Sequence, residues 1–284
     1  MGMAPLVDVD GYTYSDLDGA AKLVGPIRSA RKVLPRTTID LARHATYALA
    51  IHQIDAAGGA VALNHDRAGE GDPFEGFRMA LESWADAASF TGHTTLGLSA
   101  EEAGPSLAVP WAAHDDASVS SAVASAPVSG AKVVIASSDE EASLHAAATA
   151  AGAASVDIEP DPGQAMKSGA GVLFVRGKTG AVDHAIAADT NIGHLVGLQP
   201  LTTTARGLAV ASRAGCVIVP DFVSAAGPYL VALDSGADIT AATTAAVARF
   251  ADAGTDGFVR ACELAEDHLR TWTSDLPFGR PLAP

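Results

Sequence analysis

The chain has 284 residues and a formal net charge of −15, and 48% of its residues are hydrophobic while only 5% are aromatic. The length suffices for one large domain or two modest ones, and the hydrophobic fraction argues against disorder. The negative charge would repel nucleic acid and anionic membrane surfaces, so neither is an expected partner. We find no secretion signal and no run of about 18–20 apolar residues, which predicts a cytoplasmic protein.

The N-terminal third is expected to contain two helices and a short buried strand. Thr37–Gln53 carries apolar residues at helical spacing, with Thr37 as the expected N-cap and Asp40 three residues further on. Weak periodicity, with serine, proline and acidic residues, indicates a domain junction within Ser99–Ser129. The first helix is followed by a break at Ala57-Gly58-Gly59. The strand is then predicted at Ala60–Leu63 and the second helix at Phe74–Phe90.

From Ala131 onward, short apolar segments alternate with helical ones. The predicted strands are Lys132–Ala136, Ser155–Glu159, Gly171–Val175, His194–Leu198 and Cys216–Val219. The predicted helices are Ser138–Ala151, Val182–Asp189 and Thr204–Ala214, followed by two helices within Ile239–Trp272. Continuous apolar strands that alternate with helices are typical of a doubly wound parallel sheet.

Several segments match one known family in consistent order. Gly215–Gly227 reads G-C-V-I-V-P-D-F-V-S-A-A-G and resembles the late strand and loop of the glutamate, leucine, phenylalanine and valine dehydrogenases, where P-D, an aromatic residue and N-A-G-G are typical. Leu41–Ala48 resembles that family's L-A-R-x-M-T-Y-K helix, and Ala57–Ala60 stands where G-G-G-K follows it. Ser99–Gly104 resembles T-A-E-D-V-G. The resemblance covers about residues 23–235.

The resemblance implies an α/β protein with two domains. Residues 1–120 would form an α/β substrate and oligomerisation domain, residues 121–235 a Rossmann-like domain, and residues 236–284 helices that pack back across the junction. The family oxidises an L-amino acid to a 2-oxo acid, transfers hydride to NAD(P) and releases ammonia. It uses one lysine to bind the substrate carboxylate, a second lysine of lowered pKa to promote attack of water, and an aspartate as proton shuttle.

The residues that carry this chemistry differ in the present chain. Aligned without a gap, the two lysine positions are Ala48 and Ala60, and the aspartate position is Glu102. An alanine can neither pair with a carboxylate nor carry a proton, whereas Glu102 keeps the carboxylate on a longer side chain. The family's asparagine in the late loop is Ala225. Oxidative deamination by the family mechanism is therefore not expected.

The expected cofactor loop also departs from its pattern. A dinucleotide fold needs G-x-G-x-x-G/A after the first strand, so that the backbone can approach the pyrophosphate at a helix N-terminus. This chain has Ser137-Ser138-Asp139-Glu140-Glu141-Ala142, in which Ser138 and Glu141 predict a capping box and three carboxylates would repel phosphate. We therefore expect no cofactor. NAD(P) would be expected only if this interpretation of Ser137, Ser138 and Asp139 is wrong.

Other polar groups admit a functional and a structural interpretation. His65 and Asp66, directly after a predicted strand, would suit acid–base chemistry or a polar turn. Glu102, beside a second glutamate, would suit an acid of raised pKa or a helix cap. The basic loop Arg176–Gly180 would receive an anion or form a simple turn.

Metal chemistry is not expected. His114-Asp115-Asp116 has no second ligand cluster at a recognisable spacing, so it predicts a solvated helix start rather than a metal site. Cys216 and Cys262 are far apart and in no redox or metal spacing, so they are expected to be buried small hydrophobic residues.

The leading hypothesis is a degenerate homologue of the amino-acid dehydrogenases. It would lack the family's activity and act as a binding or scaffold subunit, in a homodimer or beside a partner protein. One alternative is a divergent enzyme that uses the interdomain cleft on an amino acid or related small molecule, with Glu102, His65 and Asp66 as candidate catalytic groups. The other is an active NAD(P)-dependent dehydrogenase, which requires the lysine alignment to be wrong. The ligand, the partner, the oligomeric state and the pathway stay open at this point.

Overall fold

The computed structural model describes most of the chain as two compact units. The described residues are 2–5, 10–18, 20, 22–64, 90–96, 111–138 and 141–283, with 90–96, 111 and 112 described by their backbone only. Unit 1 comprises Met1–Asp115, Pro228–Ala237 and Glu266–Pro281, and unit 2 comprises Asp116–Gly227, Asp238–Ala265 and Leu282–Pro284.

Unit 1 contains a mixed sheet of five strands in the order β1-β2-β4-β3-β5. The strands are β1 Gly2–Pro5, β2 Gly11–Ser15, β3 Leu23–Ala30, β4 Ala57–Asn64 and β5 Phe90–Leu96. The pairs β1–β2 and β2–β4 are antiparallel, while β3 runs parallel to both β4 and β5. The central strand β4 is buried along nearly its whole length, because helix α1 (Pro35–Ile51) packs on it.

The start of α1 differs from the sequence-based expectation. The N-cap is Leu34, without a side-chain capping bond, and Pro35 opens the helix, so the prediction that Thr37 caps it is wrong. Proline suits this position because its fixed φ fits a helix and its missing N–H is not needed in the first turn. The expected break at Ala57-Gly58-Gly59 is also wrong, since these residues already belong to β4.

Gly58 allows β4 to lie very close to α1. A Cβ atom at this residue would lie 1.7 Å from the carbonyl oxygen of Ala42 and 2.6 Å from the amide nitrogen of Thr46. Only a residue without a side chain permits this approach of strand and helix backbones. The glycine of the matched motif therefore has a packing role here.

Unit 2 contains a parallel sheet in the order β10-β9-β8-β6-β7, which confirms the predicted fold class. The strands are β6 Lys132–Ala136, β7 Ser155–Ile158, β8 Val172–Val175, β9 His194–Gly197 and β10 Val217–Val219. The helices that follow α1 are α2 Trp111–Ala124, α3 Ala142–Ala150, α4 Pro162–Ala165, α5 Ala205–Arg213, α6 Asp221–Ser224, α7 Gly227–Leu233, α8 Ile239–Ala248 and α9 Gly257–Leu269. Among the described helices, none is both long and apolar enough to cross a bilayer.

The helices predicted at Val182–Asp189 and Phe74–Phe90 also differ from the observed structure. The helix expected at Val182–Asp189 is a single 3₁₀ turn, Ile186–Asp189, because Val182 pairs with Thr203 in a β-bridge and the Asp183 carboxylate accepts hydrogen bonds from the next turn. The prediction of a helix over Phe74–Phe90 is wrong for its last residue, because Phe90 begins strand β5. Its remainder lies outside the described residues.

Candidate functional site

The winding of the parallel sheet reverses between β6 and β8. Ligands of such sheets bind at the carboxyl ends of the strands beside this reversal. Ser137 directly follows β6, and Arg176 directly follows β8. Between them lies Glu141, the N-cap residue of α3. We call these three residues the switch-point cluster.

The members of the switch-point cluster bind one another. The Ser137 hydroxyl donates a 2.8 Å hydrogen bond to Glu141 Oε1, and Arg176 Nε lies 3.0 Å from the same oxygen. The Glu141 and Arg176 side chains are 9% and 22% exposed, so the ion pair is largely shielded from water. A carboxylate thus lies at the N-terminus of the helix that follows β6, the place where doubly wound sheets that bind dinucleotides receive the pyrophosphate.

The predicted capping box at Ser138 is wrong. The helix begins at Ala142 rather than at Ser138, and Glu141 makes no capping hydrogen bond with its side chain. The Glu141 carboxylate instead binds Ser137 and Arg176, so an ion pair replaces the expected local contact. Asp139 lies outside the described residues. The basic loop at Arg176, predicted either to receive an anion or to form a turn, supplies the cation of this internal pair.

The late loop of the matched motif is fixed by hydrogen bonds within unit 2. Asp221 accepts a 2.7 Å hydrogen bond from the Thr202 amide, and the Ser224 hydroxyl donates to the Gly197 carbonyl at 2.6 Å. A Cβ atom at Gly227 would lie 1.9 Å from the carbonyl oxygen of Ala117 on α2. The aspartate and the glycine of the motif therefore serve the fold, while Ala225, which aligns with the family's asparagine, is buried.

The two residues that align with the family's lysines are buried in unit 1. Ala48 on α1 and Ala60 on β4 each have 0% exposure. Glu102, His65 and Asp66 lie outside the described residues, so their catalytic roles stay predictions.

The polar residues that follow Leu41 on α1 form a buried network in unit 1. Arg43 is 2% exposed, and its guanidinium lies 3.4 Å from Asp40 Oδ1 and 4.0 Å from Asp16 Oδ1. The Thr46 hydroxyl donates to Asp16 Oδ2 at 2.7 Å and accepts from the Gly58 amide at 2.9 Å. Tyr47 on the same helix donates to Glu266 at 3.0 Å. The matched A-R-x-A-T-Y residues thus hold the unit together.

Asp16 is the most perturbed carboxyl of this network. Its full burial raises its pKa to about 6, against the smaller opposing effects of the Thr46 hydroxyl and of Arg43. Burial likewise raises the pKa of Asp40. Asp40 and Arg43 stand at helical i, i+3 spacing, which was a usable signal for this unpredicted network, whereas nothing in the sequence connects Asp16 to them.

His114 is buried, which corrects the prediction of a solvated position for this residue, whereas Asp116 of the same segment is exposed. Its side chain is 3% exposed, and burial lowers its pKa to about 4. Within the described part of the chain, no group of three metal-ligating side chains occurs. Cys216 and Cys262 are buried and form no disulfide, as predicted, and burial raises the pKa of the Cys216 thiol to about 12.

His114 makes stability depend on pH. Because its folded pKa of about 4 is below the ordinary 6.5, the unfolded chain takes up a proton first, and stability falls as pH drops from about 6.5 to about 4. His114→Gln removes this effect. We compare the free energy of unfolding of the variant with that of the wild type by urea unfolding. This difference should favour the variant by about 1–2 kcal/mol more at about pH 5 than at about pH 7.5. An equal difference at both pH values would show that His114 titrates normally.

The fold and this set of buried motif residues define an α/β protein with the fold of the amino-acid dehydrogenases. The hetero-hexameric glutamate dehydrogenase of Thermus thermophilus in its leucine-bound form superposes with a TM-score of 0.72 at 15% identity, covering 94% of this chain and 86% of that chain. L-tryptophan dehydrogenase from Nostoc punctiforme gives 0.69 at 12% identity, covering 95% and 96%. Plasmodium falciparum glutamate dehydrogenase gives 0.71 at 10% identity, covering 93% and 80%. No protein-family model and no curated protein matches the sequence. The similarity at these identities establishes the fold.

Proposed function

We propose that this protein is a degenerate homologue of the amino-acid dehydrogenases that does not catalyse oxidative deamination and acts as a binding or scaffold subunit. The observation that carries the proposal is the ion pair between Glu141 and Arg176 at the switch point. A pyrophosphate at this position would meet the Glu141 carboxylate. Each pair of like charges about 4–6 Å apart costs on the order of 1 kcal/mol or more.

The buried alanines of unit 1 support the same proposal. Ala48 and Ala60 have no exposed surface, so neither position offers a group that could bind a substrate carboxylate or activate water. Meanwhile Asp221, Gly227 and Arg43 retain contacts that stabilise the fold. A fold that is kept without its reactive groups suits a subunit whose role is to bind or to support another chain.

Assembly is part of the proposal. The Thermus thermophilus glutamate dehydrogenase is a hetero-hexamer, so this fold can assemble from unlike chains. We propose a homodimer or a complex with a partner protein of the same fold. We also propose that the protein is cytoplasmic, a reducing compartment in which its two buried cysteines would stay reduced.

Nucleotide titration tests the proposal. We expect no saturable change in NADH or NADPH fluorescence up to millimolar nucleotide, and no reduction of NAD⁺ or NADP⁺ in the presence of L-glutamate, L-leucine, L-valine, L-phenylalanine or L-tryptophan. Saturable binding at micromolar nucleotide, or amino-acid-dependent reduction, would overturn it.

A charge variant tests the role of the ion pair itself. Glu141→Gln removes the negative charge beside Arg176, so we expect inorganic pyrophosphate to bind the variant at least tenfold more tightly than the wild type, measured by calorimetry. Glu263→Gln is the matched control, because Glu263 pairs with Arg260 at the surface of the same unit. Equal pyrophosphate binding by all three proteins would exclude Glu141 as the barrier.

The divergent enzyme is the competing hypothesis, and it rests on the carboxylate that Glu102 retains at the proton-shuttle position. It predicts that the protein converts an amino acid or 2-oxo acid without nucleotide, which proton NMR of reaction mixtures would detect. It further predicts that Glu102→Gln abolishes this turnover. Absence of turnover in the wild type would favour the scaffold.

A further inference from the structure

A cavity of about 340 Å³ lies in unit 2 beside the edge strand β10. It borders all three residues of β10 and the first residue of β9, His194. The switch-point cluster, in contrast, follows the last residues of β6 and β8. The cavity is therefore separate from the position where this fold would hold a nucleotide.

Small residues leave this space open. The last residue of α2 and the segment after it contribute Ala124 and Ala126. The turn that joins α8 to α9 contributes Ala251 and Gly254, and the first residue of α9 contributes Gly257. Gly254 has φ +55° and ψ −126°, a conformation that favours glycine, and a Cβ atom there would meet nothing within 4 Å. The chain thus reverses direction at the cavity without filling it.

The walls determine which molecules would fit. Val247, Phe250 and the β10 side chains make the lining mainly apolar, and its described residues include no lysine, arginine, aspartate or glutamate. A charged ligand would lose its hydration without gaining a counter-charge, so a neutral ligand is favoured. The volume lies in the range of about 300–1,000 Å³ typical of small-molecule sites.

His194 supplies a polar group among these walls. Its Nδ1 atom lies 3.4 Å from the carbonyl oxygen of Gly171. A proton on Nδ1 would be donated to this carbonyl, which leaves Nε2 as a hydrogen-bond acceptor. The Ser125 hydroxyl already donates to the Ala122 carbonyl at 2.7 Å. A ligand with one N–H or O–H donor would complement His194.

We propose that this cavity binds a small neutral molecule with an apolar ring or branched chain and one hydrogen-bond donor, which His194 accepts. This inference does not depend on the function proposed above, because it concerns other residues and requires neither nucleotide nor catalysis.

Indole and 1-methylindole test the proposal, because they share an apolar ring system and only indole has an N–H donor. We expect saturable binding of indole to the full chain in ligand-detected NMR, with a dissociation constant on the order of 0.1–1 mM. We expect 1-methylindole to bind about 3–10-fold more weakly, since it lacks the hydrogen bond. Absence of saturable binding of both probes at millimolar concentration would overturn the proposal.

Three variants locate the site. Ala251→Trp fills the cavity from an exposed position and should weaken indole binding at least tenfold, whereas Ala245→Trp, on an exposed part of α8 outside the cavity, should not change it. His194→Leu should abolish the preference for indole over 1-methylindole. If Ala251→Trp does not fold, as judged by circular dichroism, His194→Leu decides. Unchanged preference in His194→Leu, or unchanged affinity in a folded Ala251→Trp, would contradict the proposal.

Discussion

Gly58→Ala should destabilise the protein by about 3 kcal/mol or more, at the upper end of what overpacking costs. The added methyl group would lie 1.7 Å from the Ala42 carbonyl oxygen and 2.6 Å from the Thr46 amide. Both are backbone atoms of α1, so a side-chain rotation cannot relieve the clash. Moving the helix would also break the bond from the Gly58 amide to Thr46, and with it the support of Asp16. Urea unfolding followed by circular dichroism measures the loss.

Gly2→Ala is the matched control for this prediction. Gly2 lies on β1 in the same sheet, and a Cβ atom there would meet nothing within 4 Å. We expect a change within about 0.5 kcal/mol. If Gly58→Ala were as mild as Gly2→Ala, the close approach of β4 to α1 would be refuted.

Arg43→Met should cost about 3–5 kcal/mol at neutral pH, because it leaves Asp16 and Asp40 buried without their shared guanidinium. The methionine fills much of the same volume, so the loss reflects charge rather than a cavity. The cost should shrink as pH falls below about 6, because the Asp16 carboxyl group is then protonated. Unfolding free energies at about pH 4, 6 and 7.5 measure this difference.

The sign of the pH effect follows from Asp16. Its pKa is raised from 3.8 to about 6 in the folded state, so the folded protein holds a proton that the unfolded chain has lost. Stability from this group is therefore greatest below about pH 4 and falls as pH rises through about 6. Removing Arg43 raises the carboxyl pKa values further and extends the fall to higher pH.

Arg36→Met serves as the control for Arg43→Met. Arg36 also binds Asp40, at 2.9 Å, but its side chain is 60% exposed. Exposed ion pairs contribute little, so we expect a loss of about 0.5 kcal/mol. If Arg43→Met lowered the free energy of unfolding equally at acidic and at neutral pH, Asp16 and Asp40 would not be the groups whose charge Arg43 compensates.

The parallel sheet could be predicted from sequence because each of its strands is a short, continuous apolar segment. Lys132–Ala136 was predicted without error, and the other strands of this sheet end within one residue of the predicted bounds. Strand β3 in unit 1 could not be recognised, since Gly25 and Pro26 interrupt it. Pro26 is accommodated because the pairing with β5 shifts register directly after it.

The polar contacts of the candidate site were harder to predict. Ser138 and Glu141 have capping-box spacing, but Glu141 binds Arg176, which is 35 residues away and is brought near by strand order rather than by local sequence. Asp16 and Arg43 are likewise joined only through the packing of α1 on the sheet. Local spacing specifies which partners are possible, and the tertiary fold selects among them.

The close contact between Gly227 and α2 has a consequence for the history of such chains. Because a side chain at this position would collide with the Ala117 carbonyl, mutation there is penalised whether or not the protein catalyses anything. A lineage that gave up its reaction would still be held to this glycine by selection for stability alone. In such a lineage, the motif residues that packing requires would be retained longest. The residues that only the reaction requires would be lost first.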